Sequence, residues 1–352
     1  MKKHIYVGVI LLLSLFVLTG FSMDHIRGLE NEYADMNENE MILALSKKSI
    51  TQIFDEVNTI SSEGNDLSSL ILHGLTIIER IDEISNQELL ELIKNESNST
   101  NLRVILVQAL QQKNRDVRVW DSNIEFEILK LLQNKSVDNE IRENMIWLLS
   151  DNNASNLKAL ENIVLNEDDR LAFQALKQLR FINPHKANLL AEQILSMYDV
   201  DRKQTDKLRA AIKTKVILLR NNGSLEDKSR IVELCIELFE NPHIEQMKDT
   251  AIFALSEIKH EKSIVYIINS KEIENHIKAF CIDQNFTTLT SMLYDNPTEK
   301  NIETLIEAMN IYPIVDLIEP LKDKINASNN AFKISELKEQ KGYPVNEKWL
   351  NY

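Results

Sequence analysis

Glycine is scarce in this chain. Its 352 residues hold seven (Gly8, Gly20, Gly28, Gly64, Gly74, Gly223 and Gly342), and no two lie within seven positions of each other. Glycine-rich phosphate loops and nucleophile elbows need closely spaced glycines, because backbone must turn at positive φ or approach a ligand closely. Walker, dinucleotide-binding and G-x-S-x-G chemistry are thereby excluded. The same scarcity argues against a fold of tight β-hairpins. Aromatic residues make up only 6%, so a core must be built from Leu, Ile, Val and Ala. There are two cysteines, Cys235 and Cys281, too few for a disulfide framework. Positive charge is also short: 40 Lys and Arg stand against 54 Asp and Glu, a formal net charge of −14. A chain this acidic is repelled by phosphate backbones, and nucleic-acid binding is not expected.

What the chain has is one helical phrase, repeated from about residue 40 to residue 320. Its clearest copies are Leu102-Ile105-Leu106-Ala109-Leu110, Ile141-Met145-Leu148-Leu149, Ala172-Ala175-Leu176-Leu179 and Ala251-Ala254-Leu255-Ile258. Each samples i, i+3, i+4, i+7 and i+8, one apolar face of a 3.6-residue helix. The pattern predicts helices over 38–59, 67–82, 86–95, 100–112, 123–134, 138–150, 155–165, 168–182, 184–198, 203–221, 225–240, 243–258, 261–269, 271–282, 286–294, 298–310 and 313–325. Asn183-Pro184, Asn241-Pro242 and Asn296-Pro297 mark starts, Asn as cap and Pro at the first helical position. Ser85-x-x-Glu88 has capping-box spacing.

Aligned on their apolar pairs, the phrases place Leu75, Leu110, Leu149, Leu176, Leu219 and Leu255 at intervals of 35, 39, 27, 43 and 36 residues. A basic residue stands seven before the landmark in three copies (Arg103, Arg142, Lys248); in a fourth, Asp169 takes that place and Arg170 follows. In the segments 101–112, 140–149, 167–179 and 247–258 the chain resembles the HEAT-repeat family of armadillo-type α-solenoids. The resemblance covers about two-thirds of the chain. The Ala-Leu pair recurs in only some copies, and the glycine that commonly follows it in the family is missing. The tetratricopeptide Trp…Leu-Gly…Tyr signature is absent, and the intervals fit a 34-residue period badly. The resemblance implies an all-α, right-handed α-solenoid of about eight antiparallel helix pairs over 38–325, whose surface serves for binding.

The ends read differently. Residues 1–22 carry Lys2 and Lys3, an apolar run from Ile5 to Leu18, and small residues Gly20 and Ser22 at a −3/−1 spacing. This is the pattern of an export signal cleaved before Met23, with an uncleaved signal anchor as the alternative. Leu18-Thr19-Gly20 resembles a lipoprotein signal, but Phe21 occupies the place of the lipidated cysteine, so no lipid is expected. Residues 23–37 form a polar leader. Residues 326–352, ending in Trp349 and Tyr352, are expected to be a C-terminal cap or a tail. Cys235 and Cys281 sit on apolar stripes two helices apart and are expected to be buried free thiols.

No catalytic, cofactor or metal constellation emerges. His25, His73, His185, His243, His260 and His276 lack ligand partners at i+3 or i+4. Asp199-Val200-Asp201 with Asp206 lacks the glycine and terminal glutamate of a calcium loop. One segment opposes the overall charge: Arg202, Arg209, Lys213 and Arg220 are spaced 7, 4 and 7 apart and share a helix face. It reads either as a docking face for an acidic partner or anionic polymer, or as a solvated face balancing Glu226, Asp227 and Glu233. The expected function is an exported, non-catalytic scaffold, monomeric and without cofactor, that binds a protein or peptide outside the cytoplasm or at the cell envelope. A membrane-anchored structural subunit, and an enzyme whose carboxylates converge from successive repeats, are the alternatives.

Overall fold

The computed structural model describes residues 38–63, 67–114, 121–150, 153–167, 169–197 and 205–327. Residues 1–37, where an export signal and a polar leader are expected, lie outside them, as do Asp199, Asp201, Arg202 and residues 328–352. Among the described residues the chain is all-α, with eighteen α-helices, two short 3₁₀ segments and no strand. None of these helices is long and apolar enough to cross a membrane.

Two compact units divide at Gln178 and Leu179. The first holds α1 (Glu38–Ser46), α2 (Ile50–Glu63), α3 (Leu67–Glu79), α4 (Asn86–Lys94), α5 (Thr100–Lys113), α6 (Ser122–Gln133), α7 (Asn139–Ile146) and α8 (Ala154–Asn166). The dividing point falls within α9 (Asp169–Ile182). The second unit continues with α10 (Pro184–Ser196), α11 (Thr205–Asn222), α12 (Leu225–Glu240), α13 (Lys248–Glu257), α14 (Glu261–Asn269), α15 (Asn275–Gln284), α16 (Phe286–Tyr294), α17 (Glu299–Ile311) and α18 (Val315–Ala327).

Within each unit many helices pack against their next-but-one neighbour, some of them against their successor too. In the first, α1, α3, α5 and α7 touch in sequence, and α4, α6 and α8 form a second row. In the second, α11, α13, α15 and α17 make one row and α12, α14, α16 and α18 the other. This order changes the reading of the repeated phrase. Helix α5 is met by α2, α3, α4 and α7, and Leu102 through Val107 are all buried, as are Ala109 and Leu110. The expected single apolar face is therefore a helix enclosed on nearly every side. Each fully buried Leu or Ile there contributes about 1.5–3 kcal/mol relative to exposure.

The recurrent basic residue has a structural task. Near the start of α5, Arg103 donates from Nε to the carbonyl of Ile93 at 2.7 Å; near the start of α7, Arg142 does the same to Leu132 at 2.9 Å. Both acceptors are the penultimate residues of the preceding helix, where carbonyls have no partner within the helix. In the third copy Lys248 instead sits 5.7 Å from the ring centre of Phe239, the penultimate residue of α12.

Polar side chains also bridge positions about one interval apart. Asn58 meets Asn98 at 3.2 Å and Asn101 meets Ser61 at 3.1 Å, each 40 residues away; Gln108 meets Asn144, 36 away. In the second unit Arg220 meets Glu257 and Lys259 meets Asn221, 37 and 38 residues away.

Several expected boundaries move. The helix expected over 38–59 is two, because Ser49 and Gln52 form a reciprocal cap (Ser49 N to Gln52 Oε1 at 2.8 Å, Gln52 N to Ser49 Oγ at 3.2 Å) that starts α2 afresh. Asn241-Pro242 opens a 3₁₀ segment, Pro242–Met247, before α13. At Asn296-Pro297 the cap is Thr298, whose hydroxyl accepts from Asn301 N. Asn183-Pro184 and the Ser85 capping box stand as read.

Cys235 in α12 and Cys281 in α15 are both buried and free, with α13 and α14 between them. Burial pushes each thiol up to about 12.

Candidate functional site

The basic segment lies on α11, which divides its charges between interior and surface. Lys215 is 2% exposed; it ion-pairs with Glu192 of α10 and donates to Asn188 at 2.8 Å. That lysine is structural. Arg209, Lys213 and Arg220 face outward and are partly exposed. Arg209 pairs with Asp206 at 3.0 Å and also donates to the carbonyl of Gln246. The Lys213 ammonium lies 5.5 Å from the ring centre of Phe253. Arg220 pairs with Glu257 of α13 at 2.9 Å.

The structure adds a fourth cation from another helix, Arg180 of α9. Burial lowers the Lys213 ammonium from its ordinary range, and Arg209 and Arg180 lower it further. Arg180 is likewise lowered, by burial first and then by Arg220. Arg209, Lys213, Arg180 and Arg220 thus lie close enough to act on one another, with Asp249 opposing the effect on Lys213 and Asp206 and Glu257 pairing with Arg209 and Arg220. Beside Arg180, its ring centre 5.1 Å from that guanidinium, Phe181 is 63% exposed. Aromatic and arginine side chains side by side on a surface are the residue types that anchor protein contacts. No helical spacing in one segment could have revealed Arg180, since it comes from a different helix.

Beyond Arg220 the basic strip runs into an open cleft of about 540 Å³. Its walls are Arg220 and Asn221 at the end of α11, Leu225 and Lys228 at the start of α12, Lys259 and His260 before α14 with Glu261 at its start, Thr287, Thr288 and Ser291 of α16, and Asn296. A smaller recess of about 240 Å³, lined by Ser256, Glu257 and Gln284, shares Arg220, Asn221 and Lys259 with it.

Lys228 is 8% exposed, and its ammonium donates to the carbonyl of Arg220 at 3.1 Å. Burial pushes it below the usual lysine range, and Lys259 adds to that. Lys259 has φ = 53°, the single non-glycine residue with positive φ among the described residues. It follows Ile258, the cap of α13, at the left-handed position where glycine is favoured. His260 caps α14: its Nδ1 accepts from Lys262 N at 3.1 Å, so Nε2 carries the proton and donates to Ser229 Oγ at 3.0 Å. Burial lowers the His260 imidazole, which is neutral in this arrangement. The cleft's carboxylate, Glu261, is engaged by Asn296 and Asn301 at 2.8 and 3.2 Å, and Glu257 of the neighbouring recess by Arg220.

Carboxyls raised from their ordinary range occur elsewhere, singly. Burial raises Glu140 in the first unit, with Asp138 adding to it, and burial raises Glu307 in the second, opposed by Lys278. Neither lines the cleft, so the paired acids of hydrolytic chemistry are not assembled there. Among the described residues no group of three or more His, Cys, Asp or Glu side chains is arranged to hold a metal ion.

No family model, no curated protein and no solved structure matches this chain.

Proposed function

We propose that the chain is an exported, non-catalytic scaffold of HEAT-like helix pairs that binds an acidic protein or peptide along the strip formed by Arg209, Lys213, Arg180 and Arg220. The observation that carries this reading is the convergence of four cations from two helices on an acidic chain, next to the exposed ring of Phe181. Asp206, Glu257 and Asp249 offset part of this charge, and a complementary acidic partner would offset the rest. The two rows of helices in each unit, and the side-chain bridges 36 to 40 residues long, support stacked pairs. Export rests on the pattern of residues 1–22.

The test is crosslinking on intact cells with the wild-type chain and with Arg209→Glu/Lys213→Glu. Adducts that disappear in the variant and weaken with salt are expected. Adducts indifferent to both changes would remove the strip from the interface. Mass analysis of the mature chain reports on export, with Met23 as the expected first residue.

A further inference from the structure

We propose that the cleft between the end of α11, the start of α12 and α16 is a binding site for a small phosphate-class oxyanion, inorganic phosphate or a soluble phosphate ester. This goes beyond the partner strip, which ends where the cleft begins. Three cations reach the cleft from three separate segments: Arg220, Lys228 and Lys259. The hydroxyl-bearing Thr287, Thr288 and Ser291 of α16 line the same cleft. Donors drawn from four separate segments suit a tetrahedral ion with acceptors on every side; a carboxylate is satisfied by a single fork. The volume of about 540 Å³ leaves room for an ester substituent beside Leu225, which is 74% exposed at the mouth.

The two lysines are held without a carboxylate partner. Lys228 donates to the Arg220 carbonyl and Lys259 to the Asn221 side-chain oxygen at 3.0 Å, both neutral acceptors. An ammonium has three donors, so each retains capacity for a ligand. Glu257 offsets Arg220, and Glu261 alone stands against Lys228 and Lys259, so the cleft keeps one cationic charge in excess. Burial and Lys259 together depress Lys228, the response of a cation that lacks a counter-charge. The backbone of Lys259 adds an independent sign. Glycine would occupy its left-handed position without strain, and non-glycine residues held in this region cluster at ligand sites.

The test uses the full chain and inorganic phosphate, titrated calorimetrically at constant ionic strength against acetate as the comparison anion. Saturable phosphate binding, tighter than acetate, is expected, with a loss of about tenfold or more in Lys228→Met and in Lys259→Gly. Lys259→Gly separates a binding role from a structural one, because relief of backbone strain raises its Tm while phosphate affinity falls. Phosphate binding that is absent, no tighter than acetate, or equal in wild type and both variants overturns the site. Binding confined to vesicles containing phosphatidic acid overturns it as well, because the ligand would then be a membrane surface. Neither variant alters Arg209 or Lys213, so these outcomes leave the strip reading to its own experiment.

Discussion

Arg142 donates from Nε to the carbonyl oxygen of Leu132 at 2.9 Å and so closes the end of the helix that precedes its own. It is 2% exposed, donates also to Asn139 Oδ1 at 3.0 Å and approaches Glu167 at 3.2 Å. Arg142→Met keeps the apolar stem but strands the carbonyl, and leaves the half-buried Glu167 carboxylate to Lys135 at 3.4 Å. The expected loss is about 1–3 kcal/mol, the range for leaving a buried acceptor unsatisfied. Denaturant unfolding followed by circular dichroism measures it; an unchanged midpoint would show that the clamp is ornamental. Removing the exposed Lys262–Glu233 pair should move the midpoint far less.

Two glycines should respond in opposite directions. Gly74 lies inside α3, and a methyl group there would meet Ile105 side-chain atoms at 3.5 Å, ordinary van der Waals contact. Gly74→Ala is expected to stabilise by about 0.5–1 kcal/mol through helix propensity. At Gly223 the same methyl would lie 2.7 and 2.8 Å from Leu219 side-chain carbons and 2.8 Å from its carbonyl oxygen. Gly223→Ala is therefore expected to lower Tm, and a rise in Tm would mean that the end of α11 relaxes freely.

Acid should weaken the second unit through His260. Burial holds its imidazole below the ordinary value; Lys228 and Lys262 act in the same direction, while Glu261 and Glu233 oppose them. Below about pH 6.5 the unfolded chain takes up this proton before the folded chain does. Stability from this residue is thus complete above that pH and declines as pH falls through the lower folded value. Protonation would also cost the cap, because Nδ1 could no longer accept from Lys262 N. His260→Asn supplies a strong capping side chain that does not titrate. The variant should lose less stability than wild type between pH 7 and pH 5, and parallel curves would exclude His260 as the source.

The thiols offer a clock for local opening. With both pushed up to about 12 by burial, Cys235 and Cys281 carry almost no thiolate at neutral pH. Alkylation of the folded chain should be slow and accelerate steeply with denaturant, with two groups modified on unfolding. Fast labelling under native conditions would contradict the packing of α12 and α15.

Sequence reading located most helices because cap and apolar pattern are local properties. Asn183-Pro184 and Ser85-x-x-Glu88 act through neighbours within one turn, and both hold in the structure. The split between α1 and α2 was legible in principle, since Ser49-x-x-Gln52 has the same spacing as the recognised box. The enclosure of α5 was not, because periodicity shows an apolar face but not how many helices press on it. The basic surface was half legible. Arg209, Lys213 and Arg220 share one helix and could be counted; Arg180, Lys228 and Lys259 join them only after folding. Arg202, the first member of the expected face, lies outside the described residues.

The side-chain bridges carry a consequence for synthesis. Asn58 and Asn98, or Arg220 and Glu257, find one another across no more than 40 residues of chain. At a ribosomal pace of about 5–20 residues per second, such a partner follows within about 2–8 seconds. Each helix pair can therefore be clasped by the next while the remainder is still being made. A pause in translation would leave the completed pairs already bonded, with only the newest helix waiting for its neighbour.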